Sequence, residues 1–142
     1  MNLRRLFLGC AILFFAIQLI PANRSNPPVE QTIQAPPEAL EILRASCFDC
    51  HSYETHWPWY AYVAPASWLV AYDVNEAREH LNFSTWQIYD EEERIENLEE
   101  MWEEIEDGEM PLEYYVPFHP GSELDERKRQ ILHAWILEAT GS

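Results

Sequence analysis

Apolar positions along the chain fall into one continuous run and four periodic blocks. The run covers residues 6–20 and is broken only by Gln18, with Arg4 and Arg5 before it and Pro21, Asn23 and Arg24 after it. A positive flank followed by an apolar core is an export signal. About 15 apolar residues is short for a spanning helix, which needs roughly 20, yet no small-x-small cleavage site follows. The segment is therefore read as an uncleaved anchor rather than a cleaved signal, the missing length being supplied by flanking residues and bilayer thinning. Phe7-Leu8-Gly9-Cys10 hints at a lipoprotein site but leaves almost no hydrophobic stretch ahead of the cysteine. Arg4 and Arg5 put the N-terminus in the cytoplasm and the rest of the chain on the periplasmic side of the inner membrane.

Residues 25–37 are polar and rich in proline (Pro27, Pro28, Pro36, Pro37), the composition of an extended tether. Helical periodicity begins at Pro37, where Ala39, Leu40, Ile42 and Leu43 lead directly into Cys47. A second helix is expected from Pro65 through Trp68, Leu69, Tyr72, Val74 and Ala77 to about Leu81, with the proline in its first turn. A third follows Asp90, places Glu91, Glu92 and Glu93 at the favourable end of the dipole, and spaces Ile95, Leu98, Trp102 and Ile105 along one face before Gly108. A fourth is expected from Ser122 as cap, through Leu124, Ile131, Leu132, Trp135 and Ile136, to Gly141. No alternating strand pattern competes, so the fold class is all-α. The organisation read from the sequence is an anchor at 1–24, a tether at 25–37 and a helical domain at 38–142.

Charge narrows the partners. All 25 acidic residues lie at or beyond Glu30, and the six basic residues that accompany them leave that part of the chain at −19. Such a surface repels phosphate backbones and anionic headgroups, which argues against nucleic acid and in favour of a partner protein with a basic patch. Solubility alone explains the charge equally well. Six tryptophans in so short a chain supply broad apolar surfaces, for core packing or for packing on a flat cofactor.

Cys10 lies in the apolar run, so Cys47 and Cys50 are the only cysteines of the polar domain. Cys47-Phe48-Asp49-Cys50-His51 is the C-x-x-C-H signature of covalent haem attachment. One helical turn offers both sulfurs to the two vinyl groups on one edge of a porphyrin, and the next residue sets an imidazole under the iron. The competing readings are weaker. A redox pair would follow a strand in a βαβ pattern, a zinc site needs a second ligand pair among the scattered His56, His80, His119 and His133, and a disulfide across so short a loop stabilises little.

The second axial ligand must come from elsewhere. Met110 follows the helix-ending Gly108 and precedes Pro111, in a stiffened loop suited to holding a weak sulfur ligand. It is preferred over a histidine or an open site, and His/Met ligation suits electron transfer. Met101, beside Trp102, is read as packing. His119 is a candidate for a propionate contact, for replacing the methionine, or for a structural part in its turn. His56 is read as a surface residue, and His80 and His133 as packing or hydrogen-bonding residues. The rings of Trp57, Trp59 and Tyr60 are candidates to wall the haem, and Arg78 to pair with a propionate or, more simply, with a glutamate.

Longer strings carry a resemblance. Cys47-x-x-Cys50-His51-Ser52, Thr55-x-Trp57-Pro58-Trp59-Tyr60, Ala64-Pro65-x-Ser67-Trp68-Leu69, Asp73-Val74 and Leu81-Asn82-Phe83-Ser84-x-Trp86, followed by Met110-Pro111, Tyr114, His119-Pro120 and Trp135, resemble the haem-binding domain family of small exported bacterial proteins, single-haem relatives of c-type cytochromes. The resemblance implies a small cytochrome c-like helical domain around one covalent haem c, with Cys47, Cys50 and His51 as the attachment motif and Met110 at the distal position. Ala77 stands where many relatives have glycine. The function expected is a monohaem electron carrier and not an enzyme. The alternatives are a haem-based sensor or small-ligand binder with a labile Met110, and a peroxidase-like enzyme using His119.

Overall fold

The computed structural model describes residues 2–141, and among them every regular element is helical. The α-helices are α1 (Leu3–Ile17), α2 (Pro37–Ser46), α3 (Phe48–His51), α4 (Ala66–His80), α5 (Glu91–Asp107) and α6 (Glu126–Thr140), with short 3₁₀ turns at Trp59–Tyr62 and Val116–Phe118. The all-α expectation holds. The four blocks of helical periodicity correspond to α2, α4, α5 and α6.

Local chemistry sets the ends. Pro37 opens α2 where its missing N–H costs nothing. Asp90 and Glu93 form a reciprocal capping box at α5, and Gly108 closes it in the left-handed conformation at φ 79°. The start of α6 differs from expectation. Asp125, not Ser122, is its cap, accepting from Lys128 N–H at 2.8 Å. The Ser122 hydroxyl is buried and committed elsewhere, donating to the His119 carbonyl at 2.7 Å, so it closes the preceding turn.

The core forms where α2, α5 and α6 meet. Leu43, Ile105 and Leu132 are fully buried there, joined by Leu98, Met101 and Trp135. Phe48 stacks on Phe83 at 5.2 Å, which ties the short α3 to the loop after α4.

Residues 25–37 do not hang free. Ile33 is buried, its N–H donates to the Phe83 carbonyl at 2.9 Å, and Gln31 pairs with Thr85 in an isolated parallel bridge. Asn26 donates to the Thr55 carbonyl at 2.9 Å. The prolines make the segment extended, and the loop after α4 gives it a partner edge. In α1 the apolar run forms a 15-residue helix with no buried residue. Among the described residues no helix is long and apolar enough to cross a membrane.

Candidate functional site

The Cys47 carbonyl accepts from Cys50 N–H at 3.1 Å and from His51 N–H at 2.9 Å, closing the single turn that the motif spacing requires. Behind the turn, the Ser52 hydroxyl donates to the Phe48 carbonyl at 2.7 Å and the Thr55 hydroxyl to the Asp49 carbonyl at 2.7 Å. The turn is thus fixed by two buried hydroxyl residues. Both cysteines are free thiols. Burial, with help from the neighbouring Cys50, pushes the Cys47 thiol up to about 12, and burial with Asp49 and Asp73 does the same for Cys50, so both are protonated at neutral pH.

His51 is oriented by its surroundings. Its Nδ1 lies 3.1 Å from the Leu81 carbonyl oxygen, and since a carbonyl only accepts, Nδ1 carries the proton. Burial holds the imidazole below the ordinary histidine value, against the backbone bonds that raise it, so the ring is neutral and Nε2 keeps its lone pair. A ring fixed through Nδ1 with Nε2 open is the arrangement of a metal-ligating histidine.

Cys47, Cys50 and His51 line one cavity of about 690 Å³, within the range that holds a cofactor. The other elements that wall it are α4, α5 and the loop after α5, through Leu81, Phe83, Met101, Ile105, Met110, Leu112, Tyr114 and Tyr115. Met110 reaches the wall because Gly108 turns the chain back, so that the Glu104 carbonyl accepts from Glu109 N–H at 3.0 Å and Met110 N–H at 3.1 Å. The structure therefore gathers all four expected site residues around one space. Met101 lines it as well, while also packing in the core. Ser46, beside Cys47, lines the cavity with a buried hydroxyl that has no hydrogen-bond partner among the described residues. Two thiols on one turn, a neutral imidazole, a thioether on the wall and an orphan buried hydroxyl, all around one largely apolar space, fit a haem.

Some expectations are corrected. Trp57, Trp59 and Tyr60 do not wall the cavity. Trp59, at the start of the 3₁₀ turn, is 78% exposed, and Tyr60 packs against His119 and Phe118 instead. Arg78 pairs with no glutamate. Its guanidinium donates to the Ser52 and Ser25 carbonyls at 2.8 Å, to Asn26 Oδ1 at 2.9 Å and to the Thr55 hydroxyl at 2.8 Å, clamping residues 25–26 onto the turn behind the cysteines. His119 does not line the cavity. Its Nδ1 donates to the Tyr115 carbonyl at 2.9 Å, its ring stacks on Tyr115 at 3.6 Å, and its Nε2 meets Tyr60 Oη at 3.3 Å, a structural part in the turn. His56 is exposed beside Asp49, and His133 stacks on Trp102 at 4.1 Å. His80 stands at the cavity and pairs with Glu76 at 3.6 Å.

The cavity also contains what the sequence reading passed over. Tyr115 lines it and donates to Asp49 Oδ2 at 3.0 Å, joining the Met110 loop to the residue between the two cysteines. Phe83 supplies a wall and Ser46 the orphan hydroxyl. Only Phe83 sat in a string singled out beforehand. No lysine or arginine lines the cavity, whereas Asp73, Glu76, Glu100, Glu103 and Glu104 do. Among the described residues no group of three or more His, Cys, Asp or Glu side chains is placed to hold a metal ion.

A family model described as a haem-binding domain matches residues 12–138, nearly the whole chain. No curated protein and no solved structure matches it.

Proposed function

Because the chain belongs to the haem-binding domain family, we propose that it holds one haem c covalently in the 690 Å³ cavity and carries single electrons, with His51 and Met110 as axial ligands. The observation that carries this reading is the convergence of Cys47, Cys50, His51 and Met110 on one apolar space. Cys47 and Cys50 would hold the haem, each thiol bonding through sulfur to one of its vinyl groups, and His51 and Met110 would hold its iron. When bound, the haem supplies an iron that takes up and gives back one electron.

The chain's own residues do the rest. The Leu81 carbonyl orients the His51 ring, and the cap of α5 places Met110 on the wall. Phe83, Ile105 and Leu112 exclude water, which tunes the potential. Five carboxylates at the cavity favour the more positive oxidised state and a partner protein with a basic patch. The protein works outside the inner membrane, held by residues 1–24. A haem-based sensor is the second reading, favoured only if Met110 leaves the iron.

The test is an optical spectrum of the exported protein, oxidised and reduced, after denaturing extraction. Retained haem with a low-spin spectrum and a methionine–iron charge-transfer band supports the electron carrier. Retained high-spin haem that binds carbon monoxide supports the sensor, and no retained haem rejects covalent attachment.

A further inference from the structure

Residues 6–23, 57–72 and 114–122 contain no Asp, Glu, Lys or Arg, in a chain of net charge −16. The fold brings these three stretches together. The Gln18 side chain accepts from Ala64 N–H at 2.8 Å and donates to the Ala64 carbonyl at 3.2 Å. The Trp68 indole donates to the Ile20 carbonyl at 3.2 Å, and the Arg24 guanidinium lies 4.6 Å over the Tyr62 ring. Tyr60 packs against Phe118 at 5.8 Å. The end of α1 is therefore fastened to the 3₁₀ turn and the start of α4 through the one polar residue in its apolar run. Around this fastening, Trp59, Tyr62, Leu69 and Phe118 are all more than half exposed.

We infer that this aromatic face, whose stretches contain no acidic residue and which Arg24 borders, is a membrane-contact platform, seated in the interface of the same bilayer that α1 enters. The inference rests on reading residues 1–24 as an anchor. A helix of 15 residues is roughly 22 Å long, against a hydrocarbon core of about 30 Å. So short a segment holds its charge-rich domain close to the headgroups, where any adjoining surface must tolerate the interface. Tryptophan and tyrosine favour that region, with an apolar body and a polar tip. The three stretches contribute no carboxylate of their own to be repelled by headgroup phosphates, while the strongly acidic remainder is pushed toward water. The paired bonds from Gln18 to one residue's N–H and carbonyl fix the domain's orientation, which a flexible linker would not.

The experiment uses the full chain in phosphatidylcholine vesicles containing a phospholipid with a photoreactive group near its glycerol end, and labelled peptides are mapped by mass spectrometry. Label is expected in α1 and in the peptides carrying Trp59, Tyr62 and Phe118, with α5 and α6 clean. Gln18→Ala, and separately Trp59→Asp with Tyr62→Asp, should each lower labelling of the Phe118 peptide several-fold while leaving α1 labelled. Label confined to α1 overturns the platform and spares the anchor. Absence of label from α1 overturns both, and equal labelling of α5 and α6 overturns the platform by showing no preferred face.

Discussion

The Nδ1 of His51 hydrogen-bonds the main-chain oxygen of Leu81 at 3.1 Å, across thirty residues of sequence. The residue after the second cysteine is thereby oriented by the end of α4, not by its own turn. A backbone acceptor cannot be mutated away, so the ring is the part to remove. His51→Gly is expected to lose the low-spin spectrum of the haem-loaded protein, and added imidazole to restore it in part by occupying the vacated space. A low-spin spectrum unchanged in His51→Gly would show that another residue ligates the iron.

The cysteines make separable contributions. Cys47→Ala with Cys50→Ala is expected to abolish haem retention after denaturing extraction. Each single variant should retain haem through one thioether and shift the reduced absorption band to longer wavelength, since one vinyl group stays conjugated. Full retention in the double variant would remove the attachment reading.

Met101 and Met110 both reach the cavity, but their settings differ. Met101 is 8% exposed and wedged among core residues of α5 and α6, whereas Met110 is half-buried and held by the α5 cap. Met110→Ala should abolish the methionine–iron band and lower the reduction potential. Met101→Leu, a volume-conserving change, should cost less than about 1.5 kcal/mol in denaturant unfolding and leave the band intact. The reverse pattern would exchange the two roles.

What the sequence made legible was whatever is encoded within a few residues. Proline at the start of α2, the three glutamates in the first turn of α5, the terminating Gly108 and the one-turn spacing of Cys47, Cys50 and His51 are all local, and the structure has each of them. Features that depend on distant partners were not legible. The Tyr115 bond to Asp49 spans 66 residues, and Arg78 finds its acceptors at Ser52, Ser25, Asn26 and Thr55, a pattern that no charge count would give. Adjacency in sequence makes the aromatic cluster after the motif only a candidate for the haem wall, and the chain turns at Ser52 and carries Trp59 to the surface. Ser122 and Asp125 both suit a helix cap, and only the burial of Ser122 against His119 decides between them.

Arg78 uses its guanidinium as a planar fork, and each of its four bonds fastens residues 25–26 or the loop at 52–55 to α4. Arg78→Ala should destabilise the fold by about 2–4 kcal/mol, because it removes several charge-assisted bonds and leaves carbonyls without partners. Arg78→Lys should recover little of this, since a single ammonium cannot span the same acceptors. Chemical denaturation checks both, and a loss below about 1 kcal/mol in the alanine variant would mean that water replaces the clamp.

Tyr114 and Tyr115 fasten the Met110 loop to the rest of the site, Tyr114 donating to Asp73 Oδ2 at 2.9 Å and Tyr115 to Asp49 Oδ2 at 3.0 Å. Partial burial and then the Asp73 bond push the Tyr114 phenol up to about 12, and burial followed by the Asp49 charge pushes Tyr115 higher still. Both values are raised above the unfolded value near 10, so the folded state holds these protons more tightly. Their contribution to stability is therefore complete below about pH 10, and Tyr114's is lost as pH rises through about 12, Tyr115's at higher pH. Phenolate absorbance should show Tyr114 and Tyr115 as the last tyrosines to ionise in the folded protein, behind Tyr60 and Tyr72, which are also raised, and all should titrate normally in denaturant. Tyr114→Phe should delete one lagging transition and Tyr115→Phe the other, and each should flatten the alkaline fall in stability. If all tyrosines of the folded protein ionise together near pH 10, neither bond holds the loop in solution.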